Sequence, residues 1–369
     1  MHVRRNTTGM KQKVLLLCML FISGLYVQAH QFEREKTIDK RFNATSKTEI
    51  SISSKYGNIH VKNWDQAAVK FDINVKVKGV NVDKVNKIIR NIDISFQSSD
   101  SLIQSLTVFS SDKNKIFSDL SEFSKKGSQI HVDITVYAPT TNNLKIYNKH
   151  GNVYLPIREG IVDVTLIHGS LKADQLKGKT YLNLSSANAS VIHLINGEAI
   201  AKKSHLNFRN SGRVSIDSEF SQVKVNKAKD LSLYSKRDQV YLGNIEKIKG
   251  ETNYSYLQID QLSNSLAMET KYGDLIVDKI VPSFKQFNLN SISTKIATIF
   301  DSKSTYEIVL DYNRKSNVYY SDSLSFYRME VTGNNDDQYK MTGTYGIGGH
   351  LDSFVKITQK SGKVEIVNK

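Results

Sequence analysis

FSQVKV at 220–225, RDQVYL at 237–242, YSYLQI at 254–259 and YGDLIV at 272–277 are one phrase written four times. A bulky residue comes first, then a small or acidic one. A short run follows in which apolar and polar residues alternate. Upstream, the phrase returns as KSHLNF (203–208), ASVIHL (189–194), IHGSLKA (167–173) and KHGNVYL (149–155), and an outlying copy, KYGNIHV, stands at 55–61. The step is near seventeen residues. A fixed period of that size marks a solenoid, in which each repeat buries its apolar side only by stacking on its neighbours.

Residues two apart on a strand share a face. The inward pairs read from the phrase are Ile59/Val61, Val153/Leu155, Leu171/Ala173, Ile192/Leu194, Leu206/Phe208, Val223/Val225, Val240/Leu242, Leu257/Ile259 and Leu275/Val277. Between them stand residues that tolerate water, among them Tyr154, Lys172, Lys224, Tyr241 and Gln258. Lead-in strands such as LKIY (144–147), DVTL (163–166), YLNL (181–184) and LSLY (231–234) alternate in the same way. The expected fold is mainly β: a single-stranded β-solenoid of about eight or nine coils, each near seventeen residues. With coils about 4.8 Å apart, eight of them span roughly 38 Å. The structural corners are expected at Gly57, Gly151, Gly169 and Gly273, replaced elsewhere by Ser204, Ser221, Asp238 and Ser255, because glycine and aspartate tolerate left-handed backbone angles.

Solenoid ends expose strand edges and need caps. Residues 30–140 are expected to form a β-rich cap with one helix at 81–92, where Val82, Val85, Ile88, Ile89 and Ile92 make an apolar stripe. Residues 141–300 carry the repeats, and 301–369 form a second β-rich cap.

Residues 1–29 read as a signal peptide: Lys11 and Lys13, an apolar run from Val14 to Leu25, and Val27-Gln28-Ala29 before His30. Cys18, the only cysteine, lies in this segment, so the processed chain has no disulfide, thiolate zinc site or cysteine nucleophile. Processing takes the formal net charge from +15 to about +11. Lysines spread over outward strand positions account for that charge, and no nucleic-acid partner is expected. The predicted location is the periplasm, the outer-membrane surface or the extracellular space, with no transmembrane span in the processed chain.

SSKYGNIHVKNWDQAAVKFDINVKVKG at 53–79 resembles the opening of the bacterial exported "putative adhesin" β-strand-repeat family, a domain of unknown function. The resemblance rests on Tyr56, Gly57, Ile59, Val61 and Trp64, followed by the alternating strand from Val69 to Val77. It implies an exported β-solenoid and an adhesin-like role, and it supplies no catalytic residues.

Chemistry-bearing motifs are sparse. There is no GxSxG, HExxH or EF-hand loop. Asp260 and Asp278 fall one coil apart, but Asn226 and Gly243 occupy that place in the coils before them. His150 and His168 each precede a corner glycine, eighteen residues apart, which makes them the candidate metal pair. The later members of their column are Lys203, Phe220, Arg237, Tyr254 and Tyr272, and no third ligand joins them. No cofactor is expected. Tyr312, Tyr319 and Tyr320 form a candidate binding surface, since tyrosine can stack on sugar rings. The function expected is a non-enzymatic cell-envelope scaffold or adhesin-like module with a glycan or protein partner. The alternative is a carbohydrate-active β-helix enzyme of the polysaccharide lyase or hydrolase type.

Overall fold

The structure is a computed structural model that describes residues 31–109, 129–333, 337–346, 351 and 353–369. The signal-peptide reading falls outside these residues. The described chain is a mainly β, solenoid-like array of parallel coils with one helix, and its wall is a long open sheet.

Its middle consists of long strands, each running from one corner to the next: Asn188–Lys202, His205–Glu219, Gln222–Lys236 and Gln239–Asn253. Each pairs in parallel with its successor, seventeen residues on, as Asn207 with Lys224 and Lys224 with Tyr241. The lead-in and following strands of the sequence phrase are thus one continuous strand, bent opposite the corner. Where the step is eighteen, the extra residue sits on that opposite side. Register shifts occur between Leu176 and Lys179 in the strand Ser170–Ser185, and after Ile245 against the strand Tyr256–Lys271. A bulge absorbs one residue there without disturbing the corner.

The inward columns form one core. The expected pairs hold, with one correction. In the coil that begins at Ala187 the inward pair is Ala189/Val191, while Ile192 is 38% exposed. The register places the inward pair three residues before Ile192/Leu194, so the most apolar string of this coil is not its inward string. Ala187, Ala189, Ala199 and Ala201 make this coil's interior small, next to the bulky Phe208 of the following coil. Small opposite large keeps a stacked core close-packed.

The corners also differ from expectation in their cause. The left-handed residue is the one before the glycine: Tyr56 (φ 62°), His150 (59°) and His168 (54°), and likewise Lys203, Phe220, Arg237, Tyr254 and Tyr272. Gly151 and Gly169 are required for lack of space. A Cβ on Gly169 would lie 1.9 Å from the carbonyl oxygen of Gly151, and one on Gly151 would lie 1.7 Å from that of Gly57.

A second corner build uses a buried side-chain oxygen. Ser204 Oγ accepts the N–H of Ala187 at 3.2 Å, Ser221 Oγ that of Ser204 at 3.1 Å, Asp238 Oδ1 that of Ser221 at 2.6 Å and Ser255 Oγ that of Asp238 at 3.1 Å. The serines also donate to the carbonyl two residues back, as Ser204 does to Lys202 at 2.8 Å. Asp238 instead takes hydroxyl donations from Ser218 (2.7 Å) and Ser235 (2.8 Å). These bonds satisfy corner N–H groups inside the wall, where water cannot reach them.

At the N-terminal end, Glu49–Lys55 and Ile59–Asn63 form a coil directly beneath Leu144–Lys149 and Val153–Leu155. The outlying copy at 55–61 is therefore a neighbour in space. Beyond it the sheet turns antiparallel: Gln129–Ala138 pairs with Ala68–Gly79, which pairs with Phe32–Asn43. The helix Val82–Asn91 packs here with Val85 buried, and its N-cap Asn81 accepts the N–H of Lys84 at 2.9 Å.

At the other end the chain does not wind on in order. The strands Ser353–Gln359 and Gly362–Asn368 stack on Gln286–Ile292 and Thr294–Phe300. Tyr306–Asn313 and Ser316–Tyr320 lie outside them. Phe284, Phe287, Phe300 and Tyr306 fill this end with ring contacts of 4.8–5.8 Å. Tyr306 is fully buried and pairs with Asn368, and burial pushes its hydroxyl pKa up.

Candidate ligand-binding faces

The left-handed corner residues stand in a single outward column. Tyr56 stacks on His150 (5.4 Å between ring centres, 5° between planes), and His150 stacks on His168 (5.0 Å, 7°). After Ser186 and Lys203 the column resumes. Arg237 lies between Phe220 and Tyr254, 5.2 and 5.7 Å from their ring centres, and Tyr254 stacks on Tyr272 (4.9 Å, 12°). The coil spacing is close to a ring-stacking distance, so each ring takes its neighbours as partners. Phe220, Tyr254 and Tyr272 remain about half exposed through their edges. A second outward column holds His60 stacked on Tyr154 (4.4 Å, 10°).

The candidate metal pair is thus brought together as a stack. Nearly parallel rings aim their nitrogen lone pairs in their own planes, side by side, and one ion cannot sit in both planes at tetrahedral geometry. Among the described residues, no group of three or more His, Cys, Asp or Glu is arranged to hold a metal ion. Burial lowers the pKa of His150, and the neighbouring His168, Lys149 and Lys55 lower it further. Asp278 takes a bond from Gln258 Nε2 at 2.7 Å.

The three candidate tyrosines share the outer layer of this end but differ in setting. Tyr312 is half-buried, stacked on Tyr339 at 5.4 Å, with its hydroxyl directed at Met341 Sδ, 3.4 Å away. Burial, then Tyr320 and Tyr339, push its pKa up. Tyr319 is exposed beneath the ammonium of Lys363, 5.2 Å from the ring centre. Tyr320 packs edge-on against Phe326 at 4.8 Å.

Sequence reasoning missed a depression of about 700 Å³ where the N-terminal cap meets the coils, lined by Trp64, Asn63, Asp65, Gln66 and Thr140. Trp64 donates Nε1–H to the Ala68 carbonyl at 2.7 Å and carries Arg41 over its ring at 5.4 Å. Behind this wall lies Arg158, fully buried, bonded to Asn63 Oδ1 and the Asn142 carbonyl, both at 2.9 Å. Burial lowers its pKa to about 10, against an opposing pull from the neighbouring Glu159. An arginine in the sequence gives no sign of burial, which is why it was passed over.

No family model matches the sequence, and no curated protein matches it. Among solved structures the chain is similar to a "putative cell adhesion protein" from Clostridium sporogenes ATCC 15579, at 10% identity over 91% of this chain and 100% of that one, TM-score 0.19. It is similar to a "putative adhesin" from Parabacteroides distasonis ATCC 8503, at 9% identity over 71% and 97%, TM-score 0.35. A "putative adhesin" from Bacteroides fragilis NCTC 9343 is similar at 16% identity over 72% and 96%, TM-score 0.28. No helix among the described residues is long and apolar enough to cross a membrane.

Proposed function

We propose that this chain is an exported, non-catalytic binding protein of the cell envelope, adhesin-like, that holds an extended glycan along its outward columns. The observation that carries the reading is the column Phe220–Arg237–Tyr254–Tyr272. It presents ring edges, two tyrosine hydroxyls and a guanidinium at the regular spacing of the coils. Each ring is held by the next, so little side-chain freedom remains to be lost on binding. A rigid, repeating, amphipathic ridge suits a repeating ligand better than a compact one.

The test is a glycan array run beside a reducing-sugar release assay. Binding should fall at least about tenfold in Arg237→Ser and Tyr254→Ser, whose side chains are outside the core, while the melting temperature holds. Sugar release, or binding indifferent to both substitutions, overturns the reading. Fractionation with surface proteolysis tests the export and surface location that go with it.

A further inference from the structure

The two ends of the array treat their strand edges differently. The outermost N-terminal strand, Phe32–Asn43, reads FEREKTIDKRFN and is studded with charges of both signs. Charged edges discourage pairing with another chain. The hairpin strand Ser325–Thr332 reads SFYRMEVT. Among the described residues it has a backbone partner on one side only, the strand Gln338–Tyr345. It exposes Tyr327 (65%), Met329 (58%) and Val331 (46%). An open edge carrying large apolar side chains is a template for strand addition.

The pattern on this edge selects its occupant. In antiparallel pairing with a second copy about a two-fold axis at Met329, Arg328 faces Glu330 of the other copy, and the reverse pair forms on the far side of the axis. Tyr327 stands outside this pairing, at a bulge between Phe326 and Arg328, with its hydroxyl turned back to Glu307 at 3.5 Å. Opposite charges facing each other are a favourable cross-strand combination. Moving the axis to Glu330, a register shift of two residues, sets the two Glu330 carboxylates against each other and is disfavoured. Within one chain Arg328 and Glu330 already pair along the strand, so both side chains stand on one face of it. We propose that this edge is an isologous dimer interface, in which Ser325–Thr332 of two copies join their sheets end to end. Such a dimer would double the length of the outward columns.

Sedimentation velocity on the full chain tests this, with Arg328→Glu, Glu330→Arg and the double swap. The wild-type protein is expected to be a dimer at tens of micromolar. Each single reversal places like charges opposite one another and should raise the dimer dissociation constant at least about tenfold. The double swap should restore dimerisation, and all four proteins, diluted to where each is monomeric, should share one melting temperature, because both side chains are outside the core. A monomeric wild type, a dimer unmoved by the single reversals, or a double swap as weak as the singles would each overturn the proposal.

Discussion

Asp238 Oδ1 accepts the backbone N–H of Ser221, 2.6 Å away and one coil earlier in the stack. The same carboxylate takes the Ser218 and Ser235 hydroxyls on its other oxygen, and Asp238 is only 4% exposed. Asp238→Ala strands these donors inside the wall and should cost about 2–4 kcal/mol in chemical denaturation. Asp238→Ser should cost about 1 kcal/mol or less, since serine fills the same place at 204, 221 and 255. Equal losses in the two variants would contradict the ladder.

Gly169 faces the carbonyl oxygen of Gly151 so closely that a methyl group has no room. Gly169→Ala should destabilise by about 2–4 kcal/mol through displacement of backbone in two adjacent coils. A melting temperature within a degree of wild type would remove the close-approach explanation for this glycine.

His150 should make stability fall as pH drops. Its folded pKa lies below its ordinary value, so the folded state resists protonation that the unfolded chain accepts. Above about pH 7 both states are neutral and the group contributes nothing. The loss sets in as pH falls through the unfolded value near 6.5 and is complete below the depressed folded pKa. His150→Gln should therefore flatten the difference in melting temperature between about pH 7.5 and pH 5. A variant with the wild-type slope would show that the stacked histidine does not carry the effect.

Arg158 bridges Asn63 on the first coil and the Asn142 carbonyl on the turn before the second. Arg158→Ala should cost about 2–4 kcal/mol, from lost packing and two unpaired acceptors. Arg158→Lys should recover little of it, because a single ammonium does not reproduce a planar fork with separate ends. Recovery by lysine would argue that charge alone, and not the fork, holds this joint.

The coil and its faces were readable because stacking forces the same residue types to return at a fixed step. Val223, Val240 and Leu257 announce their column without help. At Ile192 the sequence misleads, because small alanines hide the true inward pair, Ala189/Val191, three residues before the more apolar string. The corner glycines suggest a left-handed angle that belongs to the residue before each one. The sequence shows which residues are small; only the backbone shows which carbonyl they make room for. His150 and His168 were correctly placed side by side by counting residues, whereas ring orientation needed coordinates. Tyr312 and Tyr319 looked like one cluster because they are close in sequence. They lie on the same outer layer and differ in setting: Tyr312 is half-buried against Tyr339, and Tyr319 is exposed.

Cysteine pairing across the coils tests the account most directly. In a Cys18→Ser background, Asn207→Cys with Lys224→Cys should form an intramolecular disulfide under mild oxidation, because these residues are register partners on adjacent coils with Cα atoms about 4.8 Å apart. Asn207→Cys with Tyr241→Cys spans two coils, roughly 9.6 Å, and should stay reduced. A link in the second pair and none in the first would contradict the seventeen-residue stack on which the columns, the corners and the proposed binding ridge all depend.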